Sequence, residues 1–176
     1  MAETGRRRPC CDPGQVPEVT IRVATAADFD AWFALYESVA AEGKWIGGEV
    51  PCDRDERRRG FELVVADGDA IALLACIGDE VVGELGLRMQ RGVAELGMAV
   101  AAGHRGKGIG SALMSEAIRW AESRGAHKVA LTVWPHNDAA RALYAKHGFV
   151  VEGVLKRHYR RRSGELWDAV VMGLPV

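Results

Sequence analysis

The sequence predicts an α/β protein: a mixed, mostly antiparallel sheet of about seven strands flanked by about four helices. Three observations predict it. Residues 70–100 hold three strand-like runs, AIALLACI, EVVGELGLRM and VAELGMAV, separated only by the turn pairs Gly78-Asp79 and Arg91-Gly92. That pattern reads as an antiparallel meander. A helical run follows, with Ile109, Leu113, Ala117 and Trp120/Ala121 on one face and Gly125 as its stop. The nearly all-apolar run KVALTVW at 128–134 comes next and reads as a central strand buried on both faces.

The remaining elements follow in order. Residues 1–17 carry three Pro, two Gly and an Arg run, so a disordered tail is expected there, with one domain over 18–176. From Val19, VTIRVAT alternates as a half-buried strand does. Thr25 is placed to cap a helix from about Ala26 that carries Phe29, Trp32, Phe33, Leu35 and Tyr36. Gly43, Gly47, Gly48 and Pro51 mark a loop, a charged helix runs roughly Arg54–Val65, and Asp67-Gly68-Asp69 turns into the meander. Asn137 opens a helix to about Lys146, stopped at His147-Gly148. Strands near 149–160 and 165–174 then flank the Ser163-Gly164 turn.

A chain of 176 residues is long enough to bury roughly 70% of its unfolded surface in one domain. Twenty-three basic and 24 acidic side chains leave a net charge of -1. That balance exerts no global pull on nucleic acid or an anionic membrane. Cys10, Cys11, Cys52 and Cys76 show no metal or redox spacing and read as free thiols of a reducing compartment. The N-terminal charges lack a following apolar stretch, and no run approaches the roughly 18 apolar residues of a membrane span. A cytoplasmic location is expected.

The densest chemical signal is Arg105-Gly106-Lys107-Gly108-Ile109-Gly110, between a strand and a helix. Glycines there let backbone N–H groups line a concavity, and the helix N-terminus adds partial positive charge. Such a loop suits a phosphate or pyrophosphate. The segment lacks the Walker spacing, its third glycine falls one place early for a dinucleotide fingerprint, and the downstream acid of that fingerprint is missing. His104, His127, His136, His147 and His158 are scattered without zinc spacing, and no metal is expected.

Arg105, Gly108 and Gly110, as R-x-x-G-x-G after a strand, resemble the pyrophosphate loop of the GNAT N-acetyltransferase superfamily. NDAARALYAKHGF at 137–149 is similar to that superfamily's N-x-x-A-x-x-x-Y-x-x-x-G-F segment. The resemblance runs from about Val19 to Leu174. It implies a sheet splayed near its middle by a bulge in the strand before the loop, and acetyl-CoA as cofactor. It further implies that backbone groups near Met98, Ala99 and Val100 bond the pantetheine arm and that 105–111, through Ser111, holds the pyrophosphate. Asn137 would bond the arm from the other side, and Ala140 would let it lie close. Tyr144 would meet the thioester sulfur; these three sit at i, i+3 and i+7 on one helix face.

The implied reaction is acetyl transfer to a primary amine of a small molecule or amino acid by direct attack. A silent CoA-binding regulatory module and a protein N-terminal acetyltransferase are the alternatives. An ammonium of pKa ~10.4 must lose its proton first, and Glu95, Glu84 or a water chain can take it. Donors near Val100 would serve the oxyanion, and Tyr144 would serve as the acid, unless it is simply core. Glu42, Trp45 and Glu49 are candidates for an acceptor wall or an ordinary surface loop, as are Tyr159 and Trp167 for the wall or plain sheet packing. Lys156–Arg162 reads as a solvated hairpin edge, with no nucleic acid or membrane partner expected and a homodimer allowed by the resemblance.

Overall fold

The computed structural model describes residues 18–176. The expected tail, with Cys10 and Cys11, lies outside the described residues. Seven strands form one sheet in the order β1-β2-β3-β4-β5-β7-β6. They are β1 Val19–Val23, β2 Ala70–Ile77, β3 Glu80–Gln90, β4 Val93–Val100, β5 Lys128–Val133, β6 Val150–Arg160 and β7 Leu166–Pro175. The helices are α1 Phe29–Ala41, α2 Arg54–Ala66, α3 Ile109–Ser123 and α4 Asp138–Lys146. Thr25 opens a short 3-10 turn, Ala26–Asp28, rather than α1 itself, because the Asp28 carboxylate accepts the Thr25 N–H at 2.7 Å and delays the helix to Phe29.

The two faces of the sheet carry separate cores. On one, α3 and α4 bury Leu73, Leu85, Leu87, Leu113, Met114, Val129 and Met172. Ala117 and Ala121 are fully buried and small enough to bring the α3 axis down onto the strands. On the other, α1 and α2 bury Phe29, Phe33, Phe61, Leu74 and Cys76. β2, sandwiched between both, is the strand closed on either side, with Ala72 to Cys76 all buried. β5 differs from the expectation. Val129, Leu131 and Val133 are buried, but Thr132 is exposed, because α1 packs on β3 and β4 and stops short of β5.

All neighbouring strands are antiparallel except β4 and β5, which pair in parallel only over Val93–Glu95 against Lys128–Ala130. Beyond Glu95 the strands part. β4 stays on β3 in unbroken register to Val100, and β5 stays on β7. The sheet is therefore splayed, but the bulge expected in β4 is in β3, where Val82 is the extra residue as Ala75 faces Gly83 and Cys76 faces Val81. Val82 and Gly83 both turn toward the α3 side. There a Cβ on Gly83 would stand 3.1–3.3 Å from Ile109, Leu113 and Ala75. Replacing Gly83 with Leu is expected to cost about 1–3 kcal/mol through overpacking, read as a lowered urea midpoint with an unchanged m-value.

Candidate active site

A cavity of about 700 Å³ occupies the splay. Its floor is the open edge of β4. Ala101 donates its N–H to Val82 on β3 at 2.9 Å. Strand alternation therefore aims the amides of Leu96, Met98 and Val100 the other way, into the gap left by β5. Ala99, predicted to share that role, points its amide at β3 instead and offers the cavity only its side chain.

At the loop end, Gly106 and Gly108 adopt φ of 74° and 85°, a left-handed conformation that side chains resist. Gly108 is the N-cap of α3 and has no side chain to cap with. The helix's first internal bond is Ala112 N–H to Gly108 C=O at 3.0 Å. The N–H groups of Ile109, Gly110 and Ser111 thus face the cavity with no carbonyl partner in the helix. His104 adds a buried Nδ1 that has no partner among the described residues. Lys107 is exposed and outside the lining.

Along the side wall, Asn137, Ala140 and Tyr144 of α4 all face the cavity, as their spacing requires. The Asn137 Oδ1 is spent capping the helix through the Ala140 N–H at 3.2 Å, which leaves its amide donors to the cavity. Tyr144 is 6% exposed beside Phe149. Burial alone pushes its hydroxyl up to about 12, so the group stays protonated and able to donate at neutral pH.

Arg105, Glu42 and Glu49 are engaged with protein. Arg105 makes a two-pronged ion pair with Glu42, at 2.6 and 2.8 Å, and donates through Nε to the Val100 carbonyl at 2.9 Å. Trp45 Nε1 donates to the same Glu42 carboxylate at 2.6 Å, and these donors hold its pKa below the ordinary value. Glu49 accepts the Arg162 N–H and lies 3.6 Å from Arg161. Trp45 and Tyr159 do line the cavity, while Trp167 lies behind Trp134.

Neither base candidate lines the cavity. Glu95 is exposed and is the last β4 residue paired to β5, at the vertex of the splay. Glu84 faces the α1 side opposite Ala99. It keeps a little accessible surface, yet its carboxylate is crowded by protein. That desolvation pushes its pKa up to about 7, against one opposing hydrogen bond from Trp32 Nε1 at 3.3 Å.

Sequence reasoning missed Ile46, Thr132, Trp134 and Arg161. Trp134 had a usable signal, since it ends the strand that feeds the Asn137 cap. Arg161 had none. It is 6% exposed and not part of a solvated edge, with its guanidinium on the carbonyls of Gly43, Ile46 and Gly47.

Known proteins match this architecture. The family model described as the acetyltransferase (GNAT) family covers residues 30–149. The chain is 32% identical over 162 residues to an L-amino acid N-acetyltransferase of Escherichia coli (strain K12), covering 88% of this chain and 96% of that one. Among solved structures, a ribosomal-protein-alanine N-acetyltransferase from Brucella melitensis superposes with TM-score 0.81 at 31% identity, covering 89% of this chain and 99% of that one. A Salmonella typhimurium acetyltransferase with its cofactor acetyl-CoA gives TM-score 0.78 at 26% identity, covering 89% and 93%. The chain belongs to the acetyltransferase (GNAT) family, a class of acetyl-CoA-dependent acyltransferases. Among the described residues no cluster of His, Cys, Asp or Glu could hold a metal, and no helix is long and apolar enough to cross a membrane.

Glu84 gives the fold a pH dependence. The folded protein keeps this proton up to about 7, whereas the unfolded chain releases it near 4.5. Between those values the native state binds more protons, so stability falls as pH rises; below the window the penalty vanishes, and above it the penalty is complete. Glu84→Gln keeps an acceptor for Trp32. It is expected to raise Tm over wild type at about pH 8 and to leave Tm nearly unchanged at about pH 4, measured by thermal melts.

Proposed function

We propose that the chain transfers the acetyl group of acetyl-CoA to a primary amine of a small molecule by direct attack within a ternary complex. The observation that carries this reading is one continuous cavity joining the free N–H groups of α3, the open edge of β4 and the Tyr144 hydroxyl. The residues present fit the cofactor. Ile109, Gly110 and Ser111 offer their N–H groups to a pyrophosphate, strengthened by the helix N-terminus. The His104 Nδ1, without a partner among the described residues, is in the same lining. The open amide of Met98 offers a strand-like bond to the pantetheine arm, and the Asn137 amide faces it from the start of α4.

Acetyl-CoA supplies a thioester whose carbonyl accepts the amine. The chain's own groups do the rest. The N–H group of Val100, fixed by β3 before the reaction begins, would stabilise negative charge on the acyl oxygen. Tyr144, neutral and without a hydrogen-bond partner among the described residues, would give its proton or a hydrogen bond to the departing sulfur. We assign proton removal from the amine to Glu95 through water, because Glu95 stands open at the vertex of the splay. Glu84 is shut behind Trp32, and its pKa near 7 is a cost to stability. Arg105 is a positioning residue: it ties α1 and Trp45 to the carbonyl of Val100, and the phosphates are left to the backbone. The resemblance to an L-amino acid N-acetyltransferase supports a small-molecule acceptor.

The test is thiol release from acetyl-CoA over a panel of amines. Tyr144→Phe is expected to lower kcat at least about tenfold with acetyl-CoA affinity kept. Glu95→Gln is expected to lower kcat/KM at least about tenfold. Turnover that is indifferent to Tyr144 would reject the acid assigned here. A Glu84→Gln loss matching that of Glu95→Gln would move the base to Glu84.

A further inference from the structure

The cavity is also lined by Val39, Trp45 and Ile46 from α1 and the loop after it, and by Trp134 and Tyr159 from the end of β5 and from β6. If acetyl transfer occurs as proposed above, these residues are left for the acceptor, because the α3 N-terminus, the β4 edge and Tyr144 are given over to acetyl-CoA. The two acidic side chains of the loop at 42–49 are already occupied. Glu42 is closed by Arg105 and Trp45. Glu49 is outside the lining and engaged by Arg161 and Arg162. Two of the basic side chains near them are spent as well, and Lys44, 4.9 Å over the Trp45 ring, is outside the lining. Arg105 is held by Glu42 and Val100, and Arg161 by three backbone carbonyls and Glu49. What the wall presents is aromatic and aliphatic surface.

That surface is built to hold its shape. Arg161 is the only buried charged side chain among the described residues. A guanidinium that is removed from water is costly unless its donors are all met, and here they meet the carbonyls of Gly43, Ile46 and Gly47 from a loop more than 110 residues away. The same guanidinium lies 4.3 Å over the Trp167 ring. Trp167 packs edge-on to Trp134 at 5.2 Å, and Trp134 edge-on to Tyr159 at 4.8 Å. Arg161 thus joins both sides of the wall, the Ile46 loop directly and Trp134 through Trp167.

We propose that the acceptor is a primary amine whose body beyond the nitrogen is uncharged and apolar, seated on Trp45, Ile46, Trp134 and Tyr159, and that Arg161 positions this seat. Selection is by the cost of burying a charge against a wall with no counter-charge to offer. The inference rests on the acetyl-transfer reading, and its test separates the two.

Pentan-1-amine, cadaverine and 5-aminopentanoate share a chain length and differ only in carrying a methyl, an ammonium or a carboxylate at the far end. Pentan-1-amine and 2-phenylethylamine are expected to exceed the other two in kcat/KM by at least about tenfold. Ile46→Glu, which plants a carboxylate in the seat, is expected to shift preference toward cadaverine. Arg161→Lys, too short and too narrow to span the same carbonyls, is expected to raise KM for the preferred amine about tenfold with the KM of acetyl-CoA kept within about twofold. Equal kcat/KM across the series, or a preference for either charged amine, would overturn the seat. An equal loss for both substrates, or no change, would overturn the role of Arg161. Tryptophan fluorescence of the CoA-loaded protein, titrated with the same amines, reads the seat without turnover. Apolar preference there with no acetylation would leave the seat standing and reject acetyl transfer, and no binding by any of these amines would reject the seat.

Discussion

The site depends on how briefly β4 and β5 stay together. Their parallel contact lasts for three residue pairs, Val93–Glu95 against Lys128–Ala130, and then each strand remains with its other neighbour. A strand edge left bare inside a protein is a liability unless something pairs with it. The gap is therefore a row of backbone donors and acceptors awaiting an extended ligand. The loop after β4 then brings the uncapped N-terminus of α3 to the same space. Neither feature needs a particular side chain. The cofactor end of the cavity is in this sense written into the topology.

Two arginines translate that topology into a shaped cavity, and they do so at different cost. Arg105 is partly exposed and meets Glu42 in a planar, two-pronged pair. Solvent screening limits what such a pair adds to stability, but its fixed geometry orients Trp45 and the carbonyl of Val100. Arg161 is buried, so its value lies in the three carbonyls and the carboxylate it meets; replacing it strands all four together. One arginine orients the end of β4, and the other orients the wall proposed for the acceptor.

Much of the fold was legible because it rests on local periodicity. The meander, α3 and the final hairpin each announce themselves within a dozen or so residues, and Asn137, Ala140 and Tyr144 share a face for the same reason. The failures are non-local. Val81, Val82 and Gly83 are apolar or small whichever strand carries the bulge, so no pattern could place it in β3 rather than β4. Glu42 looked like a free anchor because its partner Arg105 is 63 residues away. Arg161 sits between Arg160 and Arg162, and only a loop arriving from residues 43–49 distinguishes it from them. The double burial expected of KVALTVW failed because coverage of a strand is decided by how far a helix on the other side reaches. An apolar run records only what that strand can tolerate.

The two ends of the cavity are accordingly under different constraints. Backbone amides of β4 and α3 survive almost any substitution that keeps the strand and helix, so the recognition of a phosphate-bearing, extended cofactor is hard to lose. The wall proposed for the acceptor is made of side chains from the 43–49 loop, the end of β5 and the β6–β7 hairpin, which come from three distant parts of the chain. Loops of this kind accept change more readily than a sheet does. A single charge introduced at Ile46 or Tyr159 would alter what the wall admits without touching the apparatus around Tyr144. The physical division between a backbone-built end and a side-chain-built end is what lets one fold keep its acyl chemistry while the amine it serves is free to vary.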